Sequence, residues 1–146
     1  MEELIDSLKR SLADSFAFYL KAHSFHWNVE GKDFSQLHNF FGDLYEEVFS
    51  AVDMIAEHIR VLGDYAPGSF TRYSELSTIE DAVTLPVTAA DMVTVLREDN
   101  AKVIDTLTKA YDLAEEQKKI GLANFIQDRV DAHEKHAWML RSIEKV

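Results

Sequence analysis

Apolar residues recur every three or four positions near the start of the chain, at Leu4, Leu8, Leu12, Phe16, Tyr19 and Leu20. This is the period of a helix with one buried face, and neither Gly nor Pro interrupts it between Glu2 and Asn28. Gly31 then marks a turn. The pattern resumes from about Asp33 to Leu62, with Leu37, Phe41, Leu44, Val48, Val52, Ile55, Ile59 and Leu62 on one stripe. At about 1.5 Å of rise per residue, helices of this size reach roughly 40–45 Å. Gly63, Pro67, Gly68 and Pro86 fall in one stretch, so residues 63–87 read as a crossover, with a short helix near Thr71–Leu76. Thr88, with Asp91 three residues on, resembles a capping box with Asp in the usual Glu position. It opens a third long helix carrying Val93, Leu96, Val103, Ile104, Leu107 and Ala114. Gly121 is expected to end that region, before a fourth helix through Phe125, Ile126, Val130, Ala137, Leu140 and Ile143.

Four long helices with one long central connection predict an all-α antiparallel bundle, with the crossover between helices two and three. That is the ferritin-like arrangement. The 146 residues suffice for one domain with a real core, and a hydrophobic share of 47% excludes disorder. Cysteine is absent, which removes disulfides, iron–sulfur clusters, cysteine nucleophiles and thiolate zinc sites. No apolar run approaches the roughly 20 residues that span a bilayer. Met1-Glu2-Glu3-Leu4-Ile5-Asp6 lacks the basic and apolar regions of a secretory signal. A cytoplasmic protein without membrane association is therefore expected. The net charge of −11 disfavours nonspecific DNA binding and concentrates cations.

The second helix carries a further face. On a wheel of about 100° per residue, His38, Tyr45, Phe49, Asp53, Ala56 and Glu57 cluster roughly 120° from the core stripe. A bundle helix needs one apolar face; a second one bearing aromatics points to contact with another subunit. Asp53 and Glu57 are four apart and can share a cation. His38 lies fifteen residues earlier, roughly 22 Å along the same axis, out of reach of that ion. Two antiparallel copies of the helix, related by a two-fold axis near Glu46, would bring His38 of one subunit to Asp53 and Glu57 of the other. The turn at Gly31 would fold His26 back beside His38. The expected site thus combines His26 and His38 from one subunit with Asp53 and Glu57 from its mate, a donor set that suits Fe, Mn or Zn. The bland alternative is a surface histidine and a solvated acid pair. The Glu-x-x-His motif of di-iron bundles is absent, which disfavours a site inside one bundle. His23-x-x-His26 and His133-x-x-His136 are present instead.

The stretch His26-Trp27-Asn28-Val29-Glu30-Gly31-Lys32-Asp33-Phe34-Ser35-Gln36-Leu37-His38 resembles the signature of the Dps miniferritins, the DNA-protecting proteins of starved cells. Asp53-Met54-Ile55-Ala56-Glu57 and the block from His133 to Arg141 resemble the same family at its spacing. The resemblance implies a homo-oligomeric hollow shell of twelve subunits with 23 symmetry. It implies ferroxidase centres at the two-fold interfaces, with ligands falling on His26, His38, Asp53 and Glu57. It implies ferrous iron as substrate, oxidised preferentially by hydrogen peroxide and stored as ferric mineral, with Zn as a possible surrogate ion. The family's site tryptophan falls on Trp27, either an electron donor that quenches radicals or an interfacial packing aromatic.

The chain also departs from the family pattern. The family usually has an Asp four residues after the second His; Gly42 stands there, and Asp43 lies about 100° further round the helix. Weaker binding of a second metal is expected, with water or Glu46 filling in. A shell that binds Zn but oxidises iron poorly is the alternative. Gly inside a helix costs about 1 kcal/mol relative to Ala, which calls for a reason such as a close approach. His58 replaces the usual Arg, as an accessory ligand or, favoured by its angle, a surface imidazole. Asn124 takes a position often held by a pore-lining Asp, while Glu115, Glu116, Asp128 and Asp131 form either a cation route or a solvated face. His133 and His136 are expected to pack or hydrogen-bond, and Trp138 and Tyr19 to be core or interface residues. DNA compaction, the family's other activity, is disfavoured by the charge and by Lys9 and Arg10 being outnumbered by Glu2, Glu3 and Asp6 in the first ten residues.

Overall fold

The computed structural model describes residues 1–81 and 83–145. Its elements are α1 (Glu2–Asn28), α2 (Phe34–Val61), α3 (Phe70–Leu76), α4 (Ala89–Glu116) and α5 (Ile120–Glu144). Among the described residues there is no strand, and no helix is long and apolar enough to cross a membrane. α1 packs along α2 and α4, α4 packs along α5, and α3 lies against α1 within the crossover. The predicted stripes meet in the core, where Leu4, Leu8, Leu12, Phe41, Val48, Ile59, Leu96, Val103 and Ile126 are fully or almost fully buried. Thr88 caps α4 as expected, its hydroxyl accepting from Asp91 N at 3.1 Å.

The break between the last two helices falls earlier than Gly121. α4 ends at Glu116, Lys118 adopts the left-handed conformation (φ 57°), and Lys119 N donates to Ala114 O at 2.9 Å. This is the hydrogen bond of a Schellman-type end, made here with lysine in the position glycine usually fills. Gly121 lies in the first turn of α5 with open space around its Cα. The fourth stripe also shifts: Leu122 and Ala123 are buried, while Ile143 is exposed.

Two buried ionic groups tie the crossover to the bundle. The Asp14 carboxylate, inaccessible to solvent, accepts from Ser77 Oγ, Thr78 N, Thr78 Oγ1 and Thr106 Oγ1 at 2.6–2.7 Å. Lys21 Nζ donates to Asp99 Oδ2 at 2.7 Å and to the Glu80 carbonyl. A carboxylate so satisfied tolerates burial that an unpaired one would not.

A second network joins α2, α4 and α5. Arg129 makes a two-point contact with Glu47 (2.6 and 3.1 Å), and His136 Nε2 lies 2.7 Å from the same carboxylate. His133 Nδ1 donates to Asn100 Oδ1 at 2.7 Å, while its Nε2 accepts from Arg129 at 3.1 Å. Both ring nitrogens are thus committed to the neutral form. Burial, then the charges of Arg129 and His136, push His133 well below its ordinary value of 6.5. At Glu47, burial favours the neutral acid, but hydrogen bonds from His136 and Arg129 and their charges outweigh it and hold the carboxyl far below its ordinary 4.5. Both shifts act in one direction. Below about pH 6.5 the unfolded chain protonates residue 133 and the folded one does not; below about 4.5 the same holds for residue 47. The urea midpoint is expected to fall as pH drops from 7.5 to 5.5, and again on further acidification. His133→Gln should flatten the first fall; an equal fall in that variant would contradict the assignment.

Candidate metal centre

The turn at Gly31 (φ 114°) returns the chain so that the end of α1 lies beside the start of α2. It brings His26 and His38 together with ring centroids 3.8 Å apart and planes at 16°. Each imidazole is oriented by the other residue's backbone. His26 Nδ1 lies 2.6 Å from His38 O, and His38 Nδ1 lies 2.7 Å from His26 O. A carbonyl only accepts, so both Nδ1 atoms carry a hydrogen, and Nε2 is the nitrogen each ring has left to offer a metal. A backbone carbonyl on the far ring nitrogen is the usual support of a metal-binding histidine. The geometry also satisfies a carbonyl in the last turn of α1 that has no helical partner.

Gly42 has its reason here. A Cβ at this position would meet His26 Cε1 and Nδ1 at 3.2 Å, tighter than ordinary contact. The missing side chain lets the His26 ring lie against α2 and reach the His38 carbonyl. Asp43 lines a cleft with Glu47, Lys135 and His136. It therefore faces α5, as its angular offset predicts.

Asp53 and Glu57 are exposed on α2, and neither has a hydrogen-bond or ion-pair partner among the described residues. Within one chain Asp53 stays roughly 22 Å and Glu57 roughly 28 Å from His38 by helical rise. Among the described residues, no three His, Asp or Glu side chains of a single chain converge on an ion site. The chain thus assembles the imidazole half of the expected site and carries the acid half separately.

An aromatic row flanks the histidines. Tyr19, His23 and Trp27 are four apart on α1 and so share a face. Tyr19 Oη and His23 Nδ1 are 3.0 Å apart. The His23 ring stacks on Tyr45 at 3.8 Å and 8° and lies 4.0 Å from Trp27, centroid to centroid. Tyr45 lies 5.3 Å from His26, and Phe49 lies 4.7 Å from Tyr19. Partial burial, then the neighbouring His26, lower the His23 pKa and favour its neutral form. The sequence pairs His23 with His26 at metal-ligand spacing; the structure instead gives its Nδ1 to a phenol. The signal that identifies this role is the Tyr-x-x-x-His spacing, read together with Tyr45 on the facing helix. Trp27 (60% exposed), Phe49 (53%) and Met54 (49%) leave an apolar surface around the row.

The remaining candidates separate clearly. His58 is half-buried, with its ring 4.7 Å from that of Phe125 on α5, centroid to centroid. His133 and His136 hydrogen-bond inside the bundle, as expected. Trp138 is 55% exposed and so is not a core residue. Asn124, Glu115, Glu116, Asp128 and Asp131 are all exposed.

A family model for a ferritin-like domain matches residues 5–145. The DNA protection during starvation protein 2 of Bacillus anthracis is 32% identical over 141 residues, covering 97% of this chain and 96% of the relative. The Dps crystal structure from Bacillus brevis superposes with a TM-score of 0.92 at 31% identity, covering 97% of this chain and 95% of that one. The Dps structure from Vibrio cholerae O1, described as a member of a broad superfamily of ferritin-like diiron-carboxylate proteins, gives 0.93 at 26% identity, with 99% and 90% covered. The bundle, the crossover helix and these similarities together establish that the chain belongs to the Dps miniferritin family.

Proposed function

We propose that this chain is the subunit of a hollow dodecameric shell that oxidises ferrous iron, preferably with hydrogen peroxide, and stores the ferric product. The observation that carries the reading is the reciprocal His26–His38 arrangement, which leaves two oriented Nε2 donors beside an exposed apolar surface. Asp53 and Glu57 of the two-fold mate complete the donor set. Two imidazoles and two carboxylates suit a ferrous ion as substrate. The two negative charges match the charge of the ferrous ion and favour its oxidised form. Consuming peroxide and ferrous iron together removes both reagents of hydroxyl-radical formation. Trp27 borders this site through His23.

Gly42 sets the stoichiometry in this reading. With no carboxylate at that position, each site holds one iron tightly and a second weakly. Titration of ferrous iron into the metal-free shell should show one tight ion per site; two equally tight ions would contradict this. Gly42→Asp should raise binding at the second position, provided the His26 ring yields the few tenths of an ångström that the 3.2 Å contacts require. Ferric absorbance after peroxide addition, with little hydroxyl radical trapped, tests the activity itself. Tight zinc binding without ferrous oxidation would instead favour a divalent-metal shell, the reading that the missing carboxylate supports. Each subunit carries a net charge of −11, so the shell repels DNA at ordinary salt.

A further inference from the structure

We propose that Tyr19 and His23 form a proton-coupled electron donor for the metal centre, with Tyr19 supplying the second electron that peroxide requires when a site holds one ferrous ion. This rests on the proposed iron oxidation and deepens it. Hydrogen peroxide accepts two electrons and two protons to become two waters. A single ferrous ion gives one electron and becomes ferric. Unless a second electron arrives, a hydroxyl radical remains. In the proposed step, Tyr19 gives that electron and becomes a neutral tyrosyl radical. Its phenolic proton passes along the existing hydrogen bond to His23 Nδ1, and the two protons for water come from solvent.

The geometry selects Tyr19 among the neighbouring rings. A phenol that loses an electron becomes strongly acidic, so its oxidation is easy only when a base can take the proton at once. Tyr19 Oη has such a base 3.0 Å away, and His23 is its only hydrogen-bond partner among the described residues. Neither the Tyr45 hydroxyl nor the Trp27 indole nitrogen has a hydrogen-bond partner among the described residues. The path to the ligands is short. The Tyr19 and His23 rings are 5.6 Å apart, and His23 and His26 are 6.1 Å apart. Tyr45, stacked on His23 and 5.3 Å from His26, bridges the same gap. A cluster that served only for packing would not require the phenol–imidazole hydrogen bond.

The test loads the assembled shell with one ferrous ion per site without oxygen, adds one equivalent of peroxide, and freezes the reaction for electron paramagnetic resonance. A spin trap measures hydroxyl radical in parallel. The native shell should show a tyrosyl signal and little trapped radical. Tyr19→Phe keeps the ring and removes the transferable proton; it should lose the signal and release several-fold more hydroxyl radical, with cobalt(II) binding at the site unchanged. His23→Gln keeps a hydrogen-bond acceptor but not the base, and should lower the tyrosyl yield several-fold. An unchanged signal and radical yield in Tyr19→Phe would overturn the proposal. So would a signal that survives in Tyr19→Phe and vanishes in Trp27→Phe, or loss of cobalt(II) binding in Tyr19→Phe. Absence of ferrous oxidation in the native shell would overturn the proposed function and this relay together, whereas normal oxidation without a Tyr19 radical would overturn the relay alone.

Discussion

Protomers carrying His26→Ala and His38→Ala, reassembled with an equal amount of protomers carrying Asp53→Asn and Glu57→Gln, are expected to regain ferrous oxidation that neither shows alone. The chain holds the two imidazoles together at 3.8 Å and the two carboxylates roughly 22 and 28 Å from His38 along the same helix. An ion bound by all four must therefore take its ligands from two chains. At a two-fold interface between unlike variants, one site receives both defects and the other receives none. Random pairing makes half of the pairs unlike, with one intact site in two, so about a quarter of native activity is expected. The measurement is the initial ferric absorbance rate per subunit, with incorporation of both variants verified by mass. A mixed shell as inactive as its parents would show that the four residues do not form a shared centre. Native-like activity in either parent shell would do the same.

Asp14→Ala should be the most damaging single change away from that centre. The substitution leaves three donors around residue 14 without their acceptor, Ser77 Oγ, Thr78 N and Thr78 Oγ1, while Thr106 Oγ1 keeps the Lys102 carbonyl at 3.0 Å. Unsatisfied buried donors cost about 1–3 kcal/mol each, and those near the surface recover part of this from water. A total loss of about 2–4 kcal/mol follows, which lowers Tm by roughly 10 °C for a chain of this size. The damage should begin in the crossover, since Ser77 and Thr78 are held to α1 through this carboxylate. Limited proteolysis should therefore cut Asp14→Ala between α3 and α4 before the long helices open. A Tm within about 2 °C of native would show that the carboxylate carries little of the crossover's stability.

The apolar periodicity located the four long helices well, because each buries one face against neighbours and the 3.6-residue repeat records it. It placed the last break at Gly121 because glycine is the usual residue for a left-handed turn; here Lys118 takes that conformation. Buried polar residues escaped it for a related reason. Asp14, Asn100, Arg129 and His133 sit on core faces, but what makes their burial tolerable is a partner on another helix. Gly42 was legible as an anomaly, a helix-interior glycine at a position where the family pattern has a carboxylate. Only the fold shows the His26 ring occupying the space a Cβ would need.

The chain's sequence by itself determined the helices, the crossover, the acidic charge and the family motif that names His26, His38, Asp53 and Glu57. These are local or additive properties, carried by spacing and composition. Tertiary structure alone decided the hydrogen bonds that orient His26 and His38, the pairing of Tyr19 with His23, and the packing of the His26 ring against Gly42. Those depend on where atoms of different helices meet, and contact across elements has no period along the chain.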